Sequence, residues 1–210
     1  MAELDINLHP AQLQIFKSNK RFKIVAAGRR FGKSYLSAWL LLINAIQSES
    51  KDVFYIAPTF QQAKDIMWAM LKELGKDLII QAYENTAVLT LINGRKIYLK
   101  GSDRPETLRG VGLSYVVLDE YASMKPIVWE QIIRPTLADV KGRALFIGTP
   151  AGKNHFFDLY QDALEDTEIW DAFQFTSVDN PFLPQEEIEA ASKSMSSMSF
   201  RQEFEASFET

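Results

Sequence analysis

The 210-residue chain contains no cysteine, which excludes disulfides and thiol chemistry and fits a reducing cytoplasm. It also lacks a long apolar run. A membrane-spanning helix needs about 18 or more such residues, and the best candidate, Tyr35 to Ile46, is shorter and reads as a buried helix. The start of the chain has no positively charged region followed by an apolar core, so secretion is not expected. Internal repeats and low-complexity tracts are absent. Charge of one sign is also scarce: 27 acidic against 23 basic side chains give a net charge of −4. That balance argues against coating nucleic acid by bulk electrostatics and leaves only a local basic surface open. What remains is ordinary globular composition, 47% hydrophobic and 24% charged. The length suits one sizeable α/β core with a small appendage and is short for two catalytic domains.

The most informative stretch runs from Phe22 to Ser34. An apolar strand, β-branched at Ile24 and Val25, enters a glycine-containing loop that ends in Gly32-Lys33-Ser34, and the apolar helix from Tyr35 to Ile46 follows. This is the sequence form of a nucleotide-phosphate cradle. Backbone N–H groups curl around the phosphates, the helix adds its positive end, Lys33 reaches the β- and γ-phosphates, and the Ser34 hydroxyl ligates Mg²⁺. The nucleotide-binding set is therefore Gly28, Arg29, Arg30, Phe31, Gly32, Lys33, Ser34 and Tyr35. Ala27 stands where the usual pattern has its first glycine. The competing reading is a plain strand-to-helix turn with an exposed lysine.

Further along, Val53 to Ala57 reads as a second buried strand closed by Pro58, and Gln61 to Leu74 carries apolar residues at helical spacing. Between Thr86 and Lys100 the alternation around Asn93-Gly94 predicts an antiparallel hairpin with a type I′ turn. Tyr115 to Leu118 and Arg143 to Gly148 are near-continuous apolar runs, as a covered parallel sheet demands. A helix around Pro126 to Leu137 joins them. Beyond Ala151 the pattern predicts a helix at Phe156 to Leu164, a strand at Ile169 to Phe175, and helices at Gln185 to Ser194 and Phe200 to Phe208. The expected fold is α/β of the P-loop NTPase, RecA/ASCE-like type. It has a mostly parallel sheet with helices on both faces and an inserted hairpin, with residues 1–150 as the core and 151–210 as a small lid.

Asp119 closes a central strand, where open α/β sheets bind ligands, and its carboxylate can hold Mg²⁺ opposite Ser34. Glu120 points differently and is free to orient or deprotonate the attacking water. An acidic pair opening a solvent loop is the alternative. Thr149, in Gly148-Thr149-Pro150, offers a hydroxyl to sense the γ-phosphate, although the tripeptide is also a plain turn. Gln12, in His9-Pro10-Ala11-Gln12, can read an adenine edge; on chemistry alone, capping or surface exposure serves equally. Arg29 and Arg109 are candidates for stabilising charge on the transferred phosphoryl group, with surface exposure as the other reading. Lys96 and Lys100 on the hairpin are nucleic-acid candidates, against the commoner reading of solvated charge.

The ordered set of His9 to Gln12, Ala27 to Ser34, Ala57-Pro58-Thr59, Ser102 to Gly110, Leu118-Asp119-Glu120 and Gly148 to Pro150 resembles the ATPase domain of the large terminase subunit of tailed bacteriophages. The resemblance implies an ATP- and Mg²⁺-dependent motor that packages double-stranded DNA into a procapsid in the cytoplasm of the infected host. It implies Gln12 at the adenine, Lys33 and Ser34 as the Walker A pair, Asp119 and Glu120 as the Walker B pair, and Thr149 as the coupling residue. Arg29 would act within its own subunit and Arg109 in the neighbouring site of a pentameric ring. The portal protein and a small terminase subunit are the implied partners. No nuclease activity is expected, because the carboxylate-bearing nuclease domain usual in this family has no counterpart here. Outside packaging, the alternatives are a helicase-like nucleic-acid ATPase and a nucleotide-switched assembly module without turnover. A small-molecule kinase fits less well, since no acceptor-binding insert is present.

Overall fold

The computed structural model describes residues 3–209. Helix α1 (Pro10–Lys17) precedes β1 (Phe22–Ala27), every residue of which is buried. Lys23 lies within that strand, and its ammonium donates to the Ile15 carbonyl at 2.8 Å, giving the covered charge a partner that burial makes necessary. Helix α2 (Lys33–Gln47) buries Leu36 to Leu42 and Ala45, so its broad apolar surface is that of a core helix. Strand β2 (Asp52–Ala57) follows, then α3 (Phe60–Ala63), which runs through a π turn (Lys64–Trp68) into α4 (Ala69–Leu74). The Thr59 hydroxyl starts this helical stretch by accepting from the Gln62 N–H at 3.1 Å, an ordinary N-cap.

Three strands come next, β3 (Ile79–Tyr83), β4 (Val88–Leu91) and β5 (Lys96–Gly101), and then β6 (Leu113–Asp119). A π turn (Val128–Ile133) and the short α5 (Arg134–Thr136) lead to β7 (Arg143–Gly148). The remainder holds α6 (His155–Glu165), β8 (Trp170–Phe175), a 3-10 turn (Ser177–Asp179), α7 (Gln185–Ser194) and α8 (Ser197–Phe204).

The strands form one sheet in the order β3-β4-β5-β2-β6-β7-β1-β8. β2 pairs in parallel with both β5 and β6, and β8 in parallel with β1, while β3, β4 and β5 pair antiparallel. Burial follows that arrangement: β1 and most of β2, β6 and β7 are covered, whereas the edge strand β3 exposes four of its five residues.

The β4–β5 connection differs from the expected type I′ turn. That turn needs two left-handed residues, and here Gly94 is left-handed (φ 83°) while Asn93 is not. The Asn93 amide instead donates to the carbonyls of Ala45 and Ile46 at 3.0 and 2.9 Å. A contact some 48 positions away in sequence has set the turn.

Chain contacts group the protein into two compact units. Among the described residues the first comprises 3–6, Ser34–Asp119 and Ser123–Ala144; the second comprises Asn7–Lys33, Glu120–Ala122 and 145–209.

Candidate functional site

In the second unit, the loop from Gly28 to Gly32 connects the end of β1 to the start of α2. A side chain at Gly28 would place its Cβ 2.5 Å from the Phe204 carbonyl oxygen and 2.7 Å from Ser177 Oγ, so only hydrogen fits there. Gly32 has φ 101°, a left-handed conformation that favours glycine. Phe31 anchors the loop. Its buried ring stacks on Phe175 at 5.4 Å and meets the His9 ring edge-on at 5.0 Å, both geometries that aromatic pairs favour.

Four consecutive loop carbonyls each accept from a side chain. Ser177 Oγ donates to Arg29 O (2.5 Å), Asn180 Nδ2 to Arg30 O (2.9 Å), His9 Nε2 to Phe31 O (2.8 Å) and Gln12 Nε2 to Gly32 O (2.9 Å). The tautomer of His9 follows from its other nitrogen: Nδ1 accepts from the Gln12 N–H at 3.3 Å, so Nε2 carries the proton. Gln12 Oε1 in turn accepts from the His9 N–H at 3.0 Å, completing a capping box at the start of α1. Both ends of the Gln12 amide are thus engaged in capping α1 and holding the loop.

Lys33 folds back over its own loop. Its ammonium donates to Ala27 O (3.0 Å), Gly28 O (2.9 Å) and Thr149 Oγ1 (3.2 Å). The Thr149 hydroxyl donates in turn to Ala27 O at 3.3 Å. Thr149, just beyond β7, therefore touches the residue that the sequence assigns to the phosphates. Arg29 and Arg30 are exposed and line a cleft of about 640 Å³ with Leu183, Glu187, Ala191 and Phe204. Glu120 adopts φ 55°. A left-handed glutamate is strained, and strain held in place by surrounding structure gathers at functional sites.

In the first unit, Ser34 sits part-buried in the first turn of α2. Asp119, 3% exposed at the end of β6, accepts from the Tyr55 phenol at 2.5 Å. Tyr55 lies on the neighbouring strand β2, so sheet register fixes the carboxylate. Tyr35 is part-buried and packs edge-on against Trp39 at 6.4 Å. Arg109 is exposed just after a 3-10 turn (Pro105–Leu108), before the left-handed Gly110, and pairs with nothing among the described residues. Lys100 is half-buried, 5.4 Å from the rings of both Phe54 and Tyr98, and burial holds its ammonium pKa below the ordinary lysine value.

Three of the side chains holding the loop were not assigned from sequence: His9, Ser177 and Asn180. The run Thr176-Ser177-Val178-Asp179-Asn180-Pro181 signals a polar turn. It carries no sign of the distant carbonyls that the turn meets.

Residues 24–210 match the family model for the N-terminal part of the terminase large subunit, T4-like virus type. The chain belongs to the terminase large subunit family. Among curated relatives, the large subunit of Escherichia phage T5 is 30% identical over 194 residues, covering 90% of this chain and 44% of that protein. The large subunit of Thermus phage G20c is 28% identical over 172 residues, covering 72% and 36%. The terminase chain thus spans less than half the length of these relatives. Among solved structures, the large terminase ATPase domain of Thermus phage P74-26 superposes with a TM-score of 0.81 at 24% identity, covering 96% of this chain and 94% of that one. The large terminase of a thermophilic bacteriophage in complex with ATP-γ-S gives 0.80 at 20% identity, covering 97% and 53%. These likenesses establish the terminase fold. No helix among the described residues is long and apolar enough to cross a membrane.

Proposed function

We propose that the chain is the ATPase motor domain of a viral DNA-packaging terminase, coupling hydrolysis of ATP to translocation of double-stranded DNA. The observation that carries this reading is the Lys33 constellation: an ammonium at the end of the loop, held by two loop carbonyls and the Thr149 hydroxyl. The oxygens of a triphosphate are stronger acceptors for an ammonium than a carbonyl or a hydroxyl. On binding, Lys33 exchanges its present partners for β- and γ-phosphate oxygens and frees Thr149. The hydroxyl then registers whether the γ-phosphate is present, which is the role proposed for it in coupling.

Ser34 and Asp119 would hold Mg²⁺. Among the described residues no group of three or more His, Cys, Asp or Glu side chains forms a metal cage. One hydroxyl and one carboxylate, completed by phosphates and water, suit an ion that keeps much of its hydration. Bound there, Mg²⁺ neutralises charge on the phosphate oxygens. Glu120 orients or deprotonates the attacking water, Arg29 stabilises the transferring phosphoryl group within its own subunit, and Arg109 does so for a neighbour in a pentameric ring. Gln12 reads adenine only by releasing its present partners, His9 N–H and Gly32 O. Residues 1–150 serve as the core and 151–210 as a lid. Portal protein and a small terminase subunit are the further partners, in the host cytoplasm.

The test is release of inorganic phosphate from ATP with Mg²⁺, with and without double-stranded DNA. Turnover abolished by Lys33→Ala is expected. Tight binding of ATP with no turnover, even with DNA and portal, would make the chain a nucleotide-switched assembly module. ATP-dependent strand separation would make it helicase-like.

A further inference from the structure

We propose that Ser177 and Asn180, with His9 and Gln12, are positioning residues that set the phosphate-binding shape of the loop. The inference rests on the nucleotide reading of that loop. In a planar trans peptide the C=O and the following N–H point in opposite directions. Holding the carbonyls of Arg29, Arg30, Phe31 and Gly32 therefore turns the N–H of each following residue away from the donor that holds that carbonyl. The Phe31 N–H closes the loop onto Gly28 O at 3.2 Å. Those of Arg30, Gly32 and Lys33 face away from the side-chain donors, the orientation in which successive amides cradle an anion. Releasing a carbonyl permits a peptide flip, which would present a negative dipole to the phosphates.

The four donors come from opposite ends of the chain. His9 and Gln12 belong to the start of α1, whereas Ser177 and Asn180 lie in the segment that leads into α7. The same C-terminal stretch touches the loop twice more: the Gly28 N–H donates to Phe175 O at 2.9 Å, and the Arg29 N–H to Glu203 O at 2.5 Å. The shape of the loop thus depends on where the 175–204 segment stands. A displacement of that segment would loosen the grip on phosphate, and phosphate binding would in turn hold the segment in place.

Two isosteric substitutions isolate the effect. Asn180→Asp keeps the oxygen that accepts from the Phe182 N–H at 3.0 Å but has no donor for Arg30 O. Gln12→Glu keeps the oxygen that caps His9 but has no donor for Gly32 O. Asn180→Ala and Ser177→Ala control for the added charge and serve if an acidic variant does not fold. Affinities for ATP-γ-S, ADP and adenosine are measured on each, with Lys33→Ala alongside. Each single variant is expected to lose about tenfold for ATP-γ-S and ADP, the cost of about one hydrogen bond holding the loop in its binding shape. Adenosine, which has no phosphate, should bind the Asn180 and Ser177 variants as before. Unchanged ATP-γ-S affinity in Gln12→Glu and the Asn180 variants, while Lys33→Ala loses binding, would overturn the clamp and leave the loop reading standing. Equal losses for adenosine and ATP-γ-S in the Asn180 and Ser177 variants would also overturn it, returning these residues to general structure. Undiminished ATP-γ-S binding by Lys33→Ala would remove the loop reading and the clamp together.

Discussion

Glu120→Gln is expected to lower ATP turnover by about 10²- to 10⁴-fold, the range for removing a general base, while the affinity for ATP-γ-S changes less than about threefold. The substitution keeps the volume and the Cβ of glutamate, so the left-handed backbone at φ 55° is no more strained than before. What disappears is the carboxylate proposed to orient or deprotonate the attacking water. The contacts proposed for the triphosphate come from the loop, Lys33 and Ser34, and they are untouched. Glu120→Gly is expected to lower turnover in the same way, but it relieves the backbone strain and should stabilise the fold by about 1 kcal/mol. A chain that becomes more stable as it loses activity would show that the strain belongs to function. Loss of ATP-γ-S binding in parallel with turnover would take Glu120 out of the role of base.

Arg109→Ala is expected to lower turnover by about 10³-fold or more, the low end of what an arginine supplied to a transferring phosphoryl group contributes. Arg109 is exposed and without a partner among the described residues, so truncating it should leave the unfolding midpoint unchanged. If it completes a neighbour's site, specific activity rises with protein concentration. Arg109→Ala chains mixed with Lys33→Ala chains then recover part of the lost hydrolysis, because each supplies what the other lacks. Activity independent of concentration, with no recovery on mixing, would return Arg109 to the solvated surface.

The parts of this protein that could be read from sequence are those governed by local physics. Near-apolar β1 and β6 announce covered strands, and Gly32-Lys33-Ser34 after β1 announces the strand–loop–helix turn that follows it. The turn at Asn93-Gly94 was legible as a turn but not in type, because the Asn93 amide is claimed by Ala45 and Ile46. Distance in sequence hides the rest. Ser177 and Asn180 meet the carbonyls of Arg29 and Arg30 across 148 and 150 positions, and Tyr55 meets Asp119 across 64. Hydroxyls and amides are common in turns, so composition does not mark the few that reach a distant backbone. Gln12 shows the same point differently. Its pattern suggests both a cap and a base reader, and the capping partners are the ones made in this structure.

The most direct measurement of the central claim is a crystal structure of the chain with ATP-γ-S and Mg²⁺. The account predicts the β- and γ-phosphates against the N–H groups of the 28–34 loop, with Lys33 Nζ moved from Ala27 O and Gly28 O onto phosphate oxygen. It also predicts Mg²⁺ held through Ser34 and Asp119. A nucleotide bound elsewhere, with Lys33 still seated on its carbonyls at near 3 Å, would contradict it.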